Sequence, residues 1–260
     1  MKTYTIANTG HVFHMPESTP FEGAAQFDVF KAALNAVNAL AEQKQALLND
    51  SDLSGPGKEK RLKPAYETGW AILVAGYNRL AELDAATNQR EAVLLAVPQL
   101  HPTHSACAVE DVELRQYFRA LPLSERTKIM TVIQDTPEGG ERYLRLQIAI
   151  LRSPIPLPAD HEMAFFKSLW KQTKRLGNVA ESIAIDSERA ATEFATRGLN
   201  FLQGILASSA LTGWSRMELL AWLVRDAGRI DAAKALGFGV FDIENAKQAQ
   251  KVAGRIPATA

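Results

Sequence analysis

The stretch Phe27–Ala41, FDVFKAALNAVNALA, places Phe27, Phe30, Leu34, Val37 and Ala41 at steps of three and four residues. That spacing returns to one side of a 3.6-residue helix, so the segment predicts an amphipathic α-helix; a strand would repeat its apolar positions every second residue. Just upstream, Thr19-Pro20-Phe21-Glu22 has the form of a helix start, with a hydroxyl as N-cap, proline at the first helical position and glutamate at the third. Downstream, Tyr66, Trp70, Leu73, Tyr77 and Leu80 repeat the pattern. Gly55-Pro56-Gly57 reads as the loop between the two, followed by the basic run Lys58, Lys60, Arg61 and Lys63. Two long helices joined by one loop form an antiparallel hairpin, assigned to residues 19–100. Neither stripe lasts three heptads, which favours bundle packing over a free coiled coil.

Residues 1–18 differ from everything after them: alternation in TYTIA and HVFHM around Asn8-Thr9-Gly10 predicts a short β-hairpin arm. A lone hairpin is marginal in water, so it must lean on its own core or add to a neighbouring strand, with the first favoured. Residues 101–158 predict short helices: one over 109–120, one capped by Ser124, and one running from Pro137 to near Arg152. Ser153-Pro154-Ile155-Pro156-Leu157-Pro158 cannot be helical and forms a strap. Residues 159–256 form a C-terminal bundle. One helix starts at Asp160 and stops at Lys174-Arg175-Leu176-Gly177, and Asn178 with Glu181 restarts the chain. Ile183, Ala190, Phe194, Phe201 and Ile205 then make an apolar face, on which Gly198 allows close helix approach. Ser215 with Glu218 is a capping box ahead of Leu219, Trp222 and Leu223. Residues 257–260 read as a disordered tail. The fold class is all-α: a multi-helix bundle with a long N-terminal helical hairpin and a short β-hairpin arm.

Composition narrows the function classes. Lys plus Arg equal Asp plus Glu at 29 each. Zero net charge disfavours a dedicated nucleic-acid binder, which carries a basic excess. One cysteine cannot form an intrachain disulfide. The first fifteen residues lack the apolar run of a signal peptide, and no apolar run reaches the roughly 20 residues of a membrane span. The expected location is therefore a cytoplasm.

His101, His104 and Cys107, in HPTHSAC, offer three metal ligands where a structural zinc site wants four. Glu110 or Asp111 could supply a fourth, but both have a role at a helix start. The segment is read as an interhelix loop, and no metal is assigned. His11 and His14 lie three apart on a strand and face opposite sides. His161-Glu162 begins like a zinc-protease helix, yet Phe165 occupies the second histidine position. Gly55-Pro56-Gly57-Lys58 lacks the first glycine, the Ser or Thr and the preceding strand of a phosphate loop. No nucleophile elbow or Cys pair is present, so no catalytic residue and no cofactor are assigned. Two basic clusters remain as interaction patches: Lys58, Lys60, Arg61 and Lys63, and the helical set Lys167, Lys171, Lys174 and Arg175. Within residues 229–251, Ala233, Gly237 and Ile243 follow helix-turn-helix offsets, although the would-be recognition helix carries Asp242 and Glu244.

The middle segment, VEDVELRQYFRALPLSERTKIMTVIQDTPEGGERYLRLQIAILRSPIPLP (109–158), runs from an acidic helix start through RALPLSER to AILRSP and the proline strap. This layout resembles segments in helical proteins of tailed bacteriophages and prophages. The resemblance implies a virion-associated, non-enzymatic protein, present in the host cytoplasm during assembly and then in the particle. It would assemble with copies of itself as a homo-oligomer, or with capsid, portal or tail components. It would need no cofactor and no membrane. The alternatives are a regulator that binds DNA through 229–251 and an enzyme whose site forms only in three dimensions.

Overall fold

The computed structural model describes residues 1–101, 103, 105–135, 140, 142–155, 157, 159–226 and 229–253. Among them are one β-hairpin and ten α-helices, as the apolar periodicity predicts. Strand β1 (Lys2–Thr5) pairs antiparallel with β2 (Val12–Met15), Tyr4 opposite Phe13. The helices are α1 (Ala25–Asn49), α2 (Gly55–Leu94), α3 (Ser105–Ala120), α4 (Leu123–Asp135) and α5 (Leu144–Leu151), then α6 (Asp160–Gly177), α7 (Val179–Ala207), α8 (Arg216–Leu223), α9 (Ile230–Ala235) and α10 (Val240–Ala253). The chain forms two compact units, one of residues 1–87 and 186–260, the other of residues 88–185. Both boundaries fall inside long helices, α2 and α7.

In the first unit, α1, α2 and α7 share a core that includes Phe30, Trp70, Leu73, Leu199 and Leu206. The five apolar positions read on α2 are all buried, as are Phe27, Phe30, Val37 and Ala41 on α1. Glycines let the helices approach: a Cβ on Gly69 would sit 3.2 Å from Leu40, and one on Gly198 only 2.3 Å from Phe30. The β-hairpin turns through Asn8 and Gly10, both at positive φ. It rests on this same core, burying Ile6, Phe13 and Met15, with the Tyr4 ring edge-on to Phe30 at 5.3 Å. The second unit buries Phe118 of α3, Ile129 and Ile133 of α4, Ile150 of α5 and Phe166 of α6 around Leu157 of the strap.

Several helix ends differ from the sequence reading. Thr19–Phe21 is an isolated 3-10 turn; Glu22 is extended and Gly23 takes φ +91°, so α1 begins only at Ala25. Gly55-Pro56-Gly57 is the first turn of α2 rather than a loop, because proline is tolerated where no intrahelical donor is needed. Ser54 Oγ accepts the Gly57 N–H at 3.3 Å. Helix α3 starts at Ser105, which places Cys107 in its first turn and Glu110 and Asp111 beyond it. Ser124 lies inside α4 and does not cap it. Asn178 donates back to Lys174 O while Glu181 pairs with Arg90, so no capping box restarts the chain there. On α7, Phe194 and Ile205 are buried, but Ile183 is 63% exposed, Phe201 is 41% exposed and Ala190 is exposed. The buried face runs through Ile185, Ala191, Phe194, Ala195, Leu199 and Leu202 instead. Pro137, Pro156, Pro158 and the 257–260 tail lie outside the described residues.

The Ser215 capping box is present in both directions, with Glu218 N–H on Ser215 Oγ at 3.2 Å and Ser215 N–H on Glu218 Oε2 at 2.8 Å. The Ser215 backbone N–H, and then its hydroxyl, hold the Glu218 carboxyl below its ordinary range. A depressed carboxylate contributes stability above its unfolded pKa, and the contribution is lost as pH falls through the lowered value. We expect Ser215→Ala to cost about 1 kcal/mol at neutral pH, with the gap to wild type narrowing in acid below the carboxylate range. Urea titrations at both pH values check this, and an unchanged gap would show that the hydroxyl and carboxylate are not coupled.

Candidate protein-interaction site

An open apolar cleft in the first unit is built by β2 and the C-terminal third of α7. In an antiparallel ladder, directly opposed residues alternate between hydrogen-bonded and non-hydrogen-bonded pairs. Ile6 N–H bonds to His11 O (3.0 Å), which fixes the phase: Tyr4–Phe13 and Lys2–Met15 exchange backbone bonds, while Thr5–Val12 and Thr3–His14 do not. The N–H and C=O of Val12 and His14 therefore point away from β1. Among the described residues, no backbone or side-chain group bonds to them.

Beside that edge lies a cleft of about 460 Å³ lined by His11, Val12, Phe13, His14, Phe201, Gly204 and Ile205. Phe13 and Phe201 stack across one wall, with centroids 5.3 Å apart. Two contacts set the rotation of α7 beneath it. The buried Tyr77 hydroxyl of α2 donates to Asn200 Oδ1 at 2.6 Å and lies 3.1 Å from Gln203 Oε1. Burial raises its pKa well above the phenol range, so it remains a donor. Lys44 of α1 reaches Leu211 O (2.6 Å) and Ser209 O (3.1 Å), clamping the turn after α7.

The two imidazoles do not converge. His14 Nδ1 lies 3.1 Å from Thr3 Oγ1 on the outer face, and His11 Nδ1 lies 3.2 Å from Thr9 O within the turn. The lining contains no carboxylate, ammonium, guanidinium or thiol. Chemically, the cleft can take up apolar groups and pair with an extended backbone.

The residues singled out from sequence lie elsewhere. His101 contacts Thr103 Oγ1 at 2.7 Å, Cys107 is half-buried in α3, and His104 lies outside the described residues. Among the described residues, no group of three His, Cys, Asp or Glu is placed to hold a metal ion. Lys58, Lys60, Arg61 and Lys63 sit on the first turns of α2, where Lys58 Nζ donates to Leu48 O at 2.8 Å. On α6, Lys171 and Arg175 each reach Glu91 at 3.2 Å, Lys174 lies over the Trp170 ring at 4.6 Å, and Lys167 is exposed. That cluster is thus largely engaged within its own unit.

Asp111 does not serve a helix start. It is buried, accepts Arg152 Nη1 at 2.9 Å and faces Arg145 at 3.5 Å. Glu162 is fully buried against Arg126 at 2.7 Å. Residues 229–251 do contain two helices about a Gly237 turn (φ +79°), with Ala233 and Ile243 buried. Their exposed face carries Val240, Phe241, Asp242 and Glu244.

Sequence reading placed Phe201 in the core and gave Gly204 no role. The available signal was a glycine inside a strongly helical segment, three residues after an aromatic. No helix among the described residues is long and apolar enough to cross a membrane. No protein-family model, no curated protein and no solved structure matches the chain.

Proposed function

We propose that this protein is a non-enzymatic assembly component that works through protein–protein interfaces, and that it belongs to a tailed-phage particle. The observation that carries the assembly reading is the open β2 edge beside a mostly apolar cleft. An unpaired strand edge is a template for another chain, and proteins that do not use such an edge usually cover or charge it. The phage assignment draws on the resemblance of residues 109–158 to segments of tailed-phage proteins.

Molar mass by light scattering, after size-exclusion chromatography over a dilution series, tests the reading. The expected result is a discrete multimer that resists dilution, or a discrete complex with a purified capsid, portal or tail protein. A monomer that forms neither sinks it. Deleting residues 1–15 is a poor substitute, because it also strips Ile6, Phe13 and Met15 from the protein's own core. Duplex-DNA binding through 229–251 is the second reading, favoured by the packing of α9 and α10 about Gly237. A salt-sensitive mobility shift, abolished by charge reversal at Lys247 and Lys251, would support it.

A further inference from the structure

Gly204 is the anomaly in α7. The interior glycines of α2 and α7 number four, and three have a packing reason: a Cβ on Gly69 would meet Leu40 at 3.2 Å, on Gly76 Leu199 at 3.3 Å, and on Gly198 Phe30 at 2.3 Å. Among the described residues, a Cβ on Gly204 would meet nothing within 4 Å. Glycine inside a helix costs about 1 kcal/mol relative to alanine, and no packing contact among the described residues offsets that cost at this position. Gly204 also lies in the cleft whose upper rim is the open edge of β2. We propose that the cleft receives a short extended segment of a partner protein. Its backbone continues the sheet on Val12 and His14, and an uncharged apolar side chain seats on Gly204 against Phe201.

This proposal rests on the assembly reading above and names the partner's chemistry. Three features select that occupant. The outward N–H and C=O groups of Val12 and His14 alternate with the inward pair of Phe13, which is the register of a strand and not of a helix. The lining carries no carboxylate, ammonium or guanidinium and is apolar at Val12, Phe13, Phe201 and Ile205, so the seated group is apolar. The edge is only four residues long, roughly 13 Å. Pairing two copies of β2 along so short an edge falls well below the roughly 1,200 Å² that a stable dimer interface buries. A single inserted strand needs only this edge and the cleft beside it, whereas a second copy would have to bury surface well beyond them.

The test uses the full chain and a fluorescein-labelled, capped peptide of alternating valine and threonine, about seven residues long, followed by anisotropy. Two further peptides carry N-methyl groups on either the valine or the threonine amides. A strand presents alternate amides to its neighbour, so one methylated peptide loses binding about tenfold or more while the other retains it. Val12→Pro removes an outward N–H without breaking the β1–β2 ladder, and Gly204→Leu fills the seat with a good helix former. Each variant is expected to weaken binding about tenfold without lowering the melting temperature.

Equal affinity of the two methylated peptides overturns the proposal. So does no saturation up to about 1 mM, or full binding by Gly204→Leu. Peptide binding that falls with protein concentration as a dimer appears would assign the edge to a second copy, and also overturns it. A multimer or complex that survives both substitutions leaves the assembly reading standing and removes this one.

Discussion

Gly198→Ala is expected to destabilise the first unit by about 2–3 kcal/mol, although alanine is the better helix former. The new Cβ would lie 2.3 Å from Phe30 Cδ2 and 2.6 Å from Cε2, where carbon atoms pack at about 3.5–4.0 Å. The Phe30 ring has nowhere to go. It is 1% exposed and held edge-on by Tyr4 at 5.3 Å and Phe194 at 5.6 Å. Relief therefore requires α1 and α7 to separate, which loosens the core they share with α2. Gly204→Ala, six residues along the same helix, has the opposite sign: with open space above it, it should gain about 0.5–1 kcal/mol from helix propensity alone. Urea midpoints of the two variants decide the matter. Equal shifts would mean that propensity, not the approach of Phe30, governs both sites.

The second large effect lies in the other unit. Arg126→Met leaves Glu162 without its counter-ion in a site with no solvent access: the carboxylate is 0% exposed, and its Oε1 accepts Arg126 Nε at 2.7 Å. Among the described residues, Oε2 has no hydrogen-bond partner at all, so nothing remains to hold the charge. Removing one member of a buried pair costs about 3–5 kcal/mol, because the uncompensated charge must be solvated or neutralised. Replacing both members, with Arg126→Met and Glu162→Met together, should recover most of that loss. Hydrogen exchange over α3–α6 is the direct readout, since it reports the second unit separately. A loss below about 1 kcal/mol for Arg126→Met would show that water reaches Glu162 and that the pair behaves as a surface bridge.

The contrast between Glu162 and Ser215 shows what kind of information a sequence holds. The Ser215–Glu218 box is local: four residues determine both hydrogen bonds, and it is legible in the sequence alone. Glu162 likewise sits in the first turn of a helix, two residues after Asp160, yet its partner is 36 positions away on α4. A carboxylate in the first turn of a helix reads as a dipole companion in solvent, and only tertiary packing turns it into a buried ion. Asp111 follows the same rule, paired with Arg152 across 41 positions. Helix starts misread at Thr19, Ser124 and Asn178 failed for a related reason. Several candidate caps compete within a few residues, and one positive-φ glycine, Gly23, is enough to move the boundary.

By itself, the amino-acid sequence determined the helical class, the buried stripes of α1 and α2, the hairpin turn at Asn8–Gly10, the close approach at Gly198 and the cap at Ser215. These follow from periodicity and backbone chemistry, both of which act over a few residues. Only the tertiary structure decided which side of α7 is buried, that Phe201 is left partly in solvent, that Gly204 meets nothing, and that the free edge of β2 stands over both. The apolar face of a helix can be wider than its partners cover, and a strand has two edges of identical composition. Which part stays open depends on contacts between distant elements, and the candidate site lies on that uncovered part.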